Sequence, residues 1–287
     1  MPHVPSDENS FPLIGVVHLP PMPGFVGTPG LEDVIDFAIE EVLVLERAGF
    51  YGALIENIGD SPSPKLVSEG YVHNMARLIQ VVRDITHLKI GVGIGGDPIG
   101  SIRAGYAARA DFVRVRASAF EAGNADRDRE LDVALRQYVR AREVGELPSI
   151  LLDVAVSLSK EEGQVFGRAG STLLHGLKPD GLVVSHGVSE IAPSSRQCRI
   201  VTPENAVLPI FVGSGFNIST LGRLCGVFSG AFVDTALQIN GRFDPELCHR
   251  LVSALNALAR PSVRGRTGSI AVDAAGGAFG SFAASSE

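Results

Sequence analysis

Residues 13–57 read LIGVVHLPPMPGFVGTPGLEDVIDFAIEEVLVLERAGFYGALIEN and hold one complete structural unit. The apolar run LIGVVH (13–18) lacks polar alternation, which predicts a strand covered on both faces. HLPPMPG follows as a stiff, extended turn, because each proline restricts the residue before it. In 31–48, Val34, Ile35, Ala38, Ile39, Val42 and Leu45 recur at i, i+3/i+4, the spacing of a helix with one buried side. Gly49 supplies the helix stop, and GALIEN (52–57) opens a second apolar run. Strand, helix and strand in this order form a parallel βαβ unit.

The unit recurs to the end of the chain. Further strands are predicted at KIGVGI (89–94), DFVRVR (111–116), SILLDVAV (149–156), DGLVVS (180–185), LPIFVG (208–213) and GAFVDT (230–235). Helical spacing returns in 69–86 through Val72, Ala76, Ile79 and Val82, and helices are also expected at 98–109, 128–145, 161–176, 217–225 and 244–259. Asn217 and Asp244 read as N-caps, with Pro245 in a first turn. The stretch 186–206 has room for only a short helix. Eight strand–helix units, with no GxGxxG after the first strand, favour an α/β fold that is a single closed (β/α)8 TIM barrel over an open doubly wound sheet. Residues 1–11 read as an N-terminal tail and 12–260 as the barrel. Residues 261–287, rich in Gly, Ala and Ser, read as a flexible C-terminal tail or a partner-contacting arm.

Composition narrows the function classes. With 45% hydrophobic and 20% charged residues, the 287-residue chain can bury a large core, which excludes wholesale disorder. A formal charge of −7 without a basic block argues against nucleic acid and membrane surfaces as partners. Cys198, Cys225 and Cys248 form neither a disulfide frame nor a zinc motif, so a reduced, cytoplasmic setting is expected. Apolar runs are strand-sized, and MPHVPSDENS lacks the pattern of a leader, so no membrane insertion is expected.

A barrel gathers the side chains at the C-terminal ends of its strands around one mouth. Those positions hold His18, Glu56, Asn57, Asp60, Asp97, Arg114, Arg116, Asp153, Ser185, His186, Ser214 and Asp234. Glu56, His18 and Asp153 are the candidate catalytic groups. A carboxylate ending an apolar strand is costly unless paired or metal-bound, so Glu56 reads either as a catalytic group or as a partner of Arg114 or Arg116. Asp153 interrupts SILLDVAV and reads as chemistry or as a clamp on an arginine of the neighbouring strand. Asn57, Asp60, Arg114, Arg116 and His186 are candidate substrate contacts. Gly213, Ser214 and Gly215 form a candidate phosphate or anion loop, since small residues let backbone N–H groups face an anion.

His18, Glu56, Asp153 and His186 are ligand types suited to a divalent metal, but their spacing matches no local metal motif, and no metal or cofactor is assigned. Lysines 65, 89, 160 and 178 lie away from strand ends, which disfavours a Schiff-base aldolase.

GVVHLPPMPG (15–24), ALIENIGDSP (53–62), ADFVRVRA (110–117) and PIFVGSGFN (209–217), with DPE before the final helix, resemble the BtpA/SgcQ family of photosystem I assembly BtpA-like proteins over residues 12–258. The resemblance implies a TIM barrel similar to ribulose-phosphate-binding barrels. Three places depart from the family pattern. DVAVSL (153–158) stands where a DVHVKH-like run is usual, and GIGGDP (93–98) replaces an asparagine-rich loop. Asp234-Thr235-Ala236 and Gln238 replace a GTS-like turn and a lysine.

The expected function is acid–base chemistry on a small polar metabolite, phosphorylated or not. The alternative is a non-catalytic ligand-binding or assembly factor with a decayed site, and a metal-dependent hydrolase is the weaker third. A small-molecule ligand is the expected partner, and a homo-oligomer is compatible with the sequence.

Overall fold

The computed structural model describes residues 11–25, 27–116, 148–156, 179–186, 191–193 and 208–259. The helices expected at 128–145 and 161–176, most of 186–206 and the C-terminal tail lie outside the described residues.

Eight parallel strands close into a barrel in sequence order. They are β1 (Leu13–His18), β2 (Gly52–Glu56), β3 (Lys89–Gly93), β4 (Phe112–Arg116), β5 (Ser149–Val156), β6 (Gly181–His186), β7 (Ile210–Val212) and β8 (Gly230–Val233). Closure is made by β8 returning to β1, with Leu13 beside Ala231 and Gly15 beside Val233. Described helices are α1 (Leu31–Ala48), α2 (Glu69–Ile85), α3 (Pro98–Ala108), the single turn α4 (Leu221–Leu224) and α5 (Pro245–Ala259). None is long and apolar enough to cross a membrane, among the described residues.

The apolar character of the strands follows from alternation between two packed surfaces. Ile14, Val16, Leu54, Phe112, Leu151, Val183, Phe211 and Phe232 fill the barrel interior. Their neighbours, such as Val17, Ile55, Val92, Val113, Leu152, Val184 and Val212, pack outward under the helices. The α1 stripe Val34, Ile35, Ala38, Val42 and Leu45 is buried there, as its spacing predicts. Inside, rings are seated over glycines. A Cβ on Gly91 would fall 2.1 Å from the Phe112 ring, and one on Gly230 would fall 2.6 Å from that of Phe211. Both rings meet Phe232 edge-on, with centroids 6.2 and 5.9 Å away.

Two local features differ from expectation. The helix expected over 217–225 is reduced to Leu221–Leu224 after a turn, in which the Asn217 carboxamide oxygen accepts the N–H groups of Ser219 and Thr220, the capping contacts expected of it. A short hairpin, β9 (Gln238–Ile239) with β10 (Arg242–Phe243), was not expected. Its signal is Asn240-Gly241, both at positive φ, the pair favoured in two-residue hairpin turns. Buried Glu41 on α1 anchors the hairpin by accepting Arg242 Nε at 2.9 Å and the Phe243 N–H at 2.7 Å. The final helix begins as expected, with Asp244 accepting the Leu247 N–H at 2.8 Å.

Gly91→Ala should lower stability by about 1–3 kcal/mol, since the added methyl must displace a packed ring. Urea unfolding would measure it, and an unchanged midpoint would show that the interior is looser than described.

Candidate functional site

Strand register brings the polar layer together at the C-terminal end of the barrel. His18 on β1 lies beside Glu56 on β2, Glu56 beside Gly93 on β3, and Arg116 on β4 beside Asp153 on β5. Arg114, two residues earlier on the same inward face of β4, reaches into the centre. Its Nε and Nη2 donate to Asp153 Oδ2 at 3.0 and 2.6 Å, and Nη2 also donates to Ser185 Oγ at 3.3 Å. Ser185 Oγ donates in turn to Asp153 Oδ1 at 2.9 Å. Arg114 Nη1 stands 3.7 Å from Glu56 Oε1, and the guanidinium lies 5.1 Å from the Phe232 ring centre. Burial alone would weaken the charge on Arg114. Asp153, then Glu56, with Asp234 further off, outweigh it and hold the guanidinium above the ordinary arginine value.

Glu56 is shared. Its second oxygen accepts Arg116 Nη2 at 2.8 Å, so each oxygen faces a guanidinium. Glu56 is 2% exposed, whereas the Arg116 side chain is 35% exposed. Two glycines make room for the cluster. A Cβ on Gly93 would lie 2.9 Å from Glu56 Oε1, and one on Gly213 would lie 2.2 Å from Ser185 Oγ and 3.4 Å from Arg114 Nη2. The first glycine of GSG is thus required by packing beneath the arginine. Of the alternatives open for Glu56 and Asp153 in the sequence, the structure shows the arginine partnership, with both carboxylates at the mouth of the barrel.

Asn57 and Asp60, expected to touch substrate, are occupied in binding the loops to one another. Asp60 accepts the Met22 N–H at 2.8 Å, Asn57 Nδ2 at 2.9 Å and the Tyr71 hydroxyl, joining the loops after β1 and β2. Burial, reinforced by Asp60, pushes the Tyr71 phenol up. Asn57 Oδ1 accepts the Gly95 N–H at 2.9 Å, and Asp97 accepts those of Val67 and Gly100 at 2.8 and 3.0 Å, stitching the loop after β2 to that after β3. Three buried polar side chains therefore make one wall of the mouth rigid.

On the other side of β1, His18 Nε2 stands 3.8 Å from Asp234 Oδ2, with the two side chains 21% and 30% exposed. Asp234 Oδ1 accepts the N–H of Thr235 at 2.7 Å, which leaves Oδ2 toward the histidine. The sequence marked Asp234 as a mouth residue and as a departure from a phosphate turn; its closeness to His18 follows from barrel closure between β8 and β1. Ser185 was likewise visible at a strand end without a role.

The expected anion loop is tied into the protein. Ser214 Oγ accepts the His186 N–H at 2.8 Å and donates to the Ile191 carbonyl at 2.8 Å, while the Gly213 N–H donates to Val184. His186 is thereby joined to the loop after β7. His18, Glu56, Asp153 and His186 do not assemble as a metal group, and among the described residues no three His, Cys, Asp or Glu side chains do. Glu56 and Asp153 are instead engaged by guanidinium groups.

Comparison with known proteins places this geometry in context. A model of the BtpA family matches residues 9–260. An uncharacterised protein of Thermococcus kodakarensis is 30% identical over 259 residues, covering 88% of this chain and 97% of that one. The photosystem I biogenesis protein BtpA of Synechocystis is 27% identical, covering 93% and 94%. Among solved structures, phosphoribosyl anthranilate isomerase of Thermus thermophilus matches with a TM-score of 0.52 at 11% identity, covering 86% of this chain and 99% of its own, which is a likeness of fold.

Arg114→Met should cost about 3–5 kcal/mol, because Asp153 and Glu56 would remain buried with part of their compensation gone. Adding Asp153→Leu should recover much of that loss in denaturant melts. A single variant as stable as the parent would mean that the carboxylates are solvated.

Proposed function

The chain belongs to the BtpA family, and from that premise we propose that it is an enzyme performing acid–base chemistry on a small polar metabolite at the C-terminal mouth of its barrel. One contrast carries the reading. Arg114, Asp153 and Glu56 are buried and mutually compensated, while His18, Asp234 and Arg116 stand partly open beside them. Barrel enzymes work at this end of their strands.

His18 moves the proton, since the two ring nitrogens of an imidazole can donate and accept one. Protonating Glu56 would strip two guanidiniums of a counter-ion, so Glu56 and Asp153 act by holding Arg114 and Arg116 in place. Arg116 meets the substrate. The acidic composition and the widely spaced cysteines support a cytoplasmic setting.

A second reading, a non-catalytic assembly factor, is favoured by the similarity to the photosystem I biogenesis protein BtpA. Incubating the protein with a panel of sugars, sugar phosphates and organic acids in D2O, followed by mass spectrometry, separates the two. The enzyme reading expects turnover or deuterium uptake in at least one compound, reduced about 10²–10⁴-fold in His18→Asn. Labelling that is as fast in the variant would refute the role of His18. Binding without any labelling or turnover would favour the assembly factor.

A further inference from the structure

In phosphate-binding barrels the loop after the seventh strand and a helix N-terminus near the eighth cradle the anion. Here those elements are filled by the chain itself. Gly213 gives its N–H to Val184, and the Ser214 hydroxyl is held between His186 and Ile191. Gly215 lies against the 191–192 backbone so closely that a Cβ would fall 2.2 Å from Ala192 N. The helix that follows is one turn, Leu221–Leu224.

Charge opposes a phosphate there as well. Residues 213–220 contain no lysine or arginine, and Arg242, after β8, is tied to Glu40 and Glu41. The Gln238 carboxamide, where a lysine was expected from the resemblance, donates to the Val16 carbonyl at 3.4 Å. Among the described residues, Glu56 and Asp153 match Arg114 and Arg116 in charge, and Asp234 has no lysine or arginine within ion-pair distance. A dianion would meet like charge at the β8 end.

Resting on the reading that the mouth binds a metabolite, we infer that the ligand is an unphosphorylated, hydroxyl-bearing molecule, a free sugar or polyol rather than its phosphate ester. A hydroxyl both donates and accepts, and the open groups supply both functions. Asp234 Oδ2 accepts, Arg116 donates, and His18 does either according to its tautomer. Arg116 gives Nη2 to Glu56, and its side chain is 35% exposed.

The test uses the full chain and matched pairs: glycerol and glycerol phosphate, ribose and ribose 5-phosphate, and the corresponding pairs of hexoses, with inorganic phosphate alongside. Thermal shift reports binding, and amide NMR reports its place. In at least one pair the free member should raise Tm while its ester does not, and Asp234→Asn should weaken that binding about tenfold, the loss expected for one hydrogen bond to a charged group. The asparagine keeps an oxygen for the Thr235 N–H, so the fold should survive the change. Inorganic phosphate should leave the Ser214 and Gly215 amides unmoved. A saturable shift of those amides with phosphate, or a pair in which the ester is the member that binds, would overturn the inference and leave the enzyme reading standing. Silence from both members of every pair would count against ligand binding at the mouth, and the inference would fall with it.

Discussion

A guanidinium buried at the centre of a barrel is the constraint on which the upper half of this molecule depends. Arg114 leaves β4 and meets groups on β2, β5, β6 and β8, so it ties together strands that are not neighbours in the sheet. Such a charge is tolerable only when it is paired and hydrogen-bonded, and here Asp153 and Ser185 accept its hydrogen bonds while Glu56 adds an ion pair. The glycines at 93 and 213 are consequences of the same requirement, because a methyl at either would enter the space of the ion network. Below it, aromatic rings seated over glycines close the interior.

Above that plug the mouth divides into parts with different duties. Asn57, Asp60 and Asp97 fasten the loops after β1, β2 and β3 into one wall, with their polar atoms turned to protein rather than kept for a ligand. Ser214 does the same for the loops after β6 and β7. Among the described residues, His18, Asp234 and Arg116 remain partly open beside these fastened groups. Pre-organisation of this kind favours recognition, since little side-chain freedom remains to be lost on binding.

Periodicity made the fold legible. Uninterrupted apolar strands and an amphipathic helix in residues 13–57, repeated along the chain, define a parallel sheet covered on both faces, and eight such units without a GxGxxG after the first strand favour its closed form. The list of mouth residues followed from that closure. Their division of labour did not, because Asp60 and Arg116 look alike as strand-end charges until the partners 38 residues back and 60 residues back are seen. The packing duties of the GSG turn were hidden for a related reason. Gly213 is small to accommodate Ser185 and Arg114, and Gly215 to accommodate the 191–192 backbone, and neither neighbour is local in sequence. The hairpin at Asn240-Gly241 was readable from turn chemistry but lay hidden beside a strand and a helix.

The central claim concerns the state of one side chain, and arginine-selective 15N NMR observes it directly. If Arg114 is the compensated ion at the barrel axis, its Nε–H exchanges with solvent far more slowly than that of an exposed arginine such as Arg77, and the signal persists to high pH. An Arg114 Nε–H that exchanged as fast as that of Arg77 would mean that water reaches the centre of the barrel, and the plug described here would not exist.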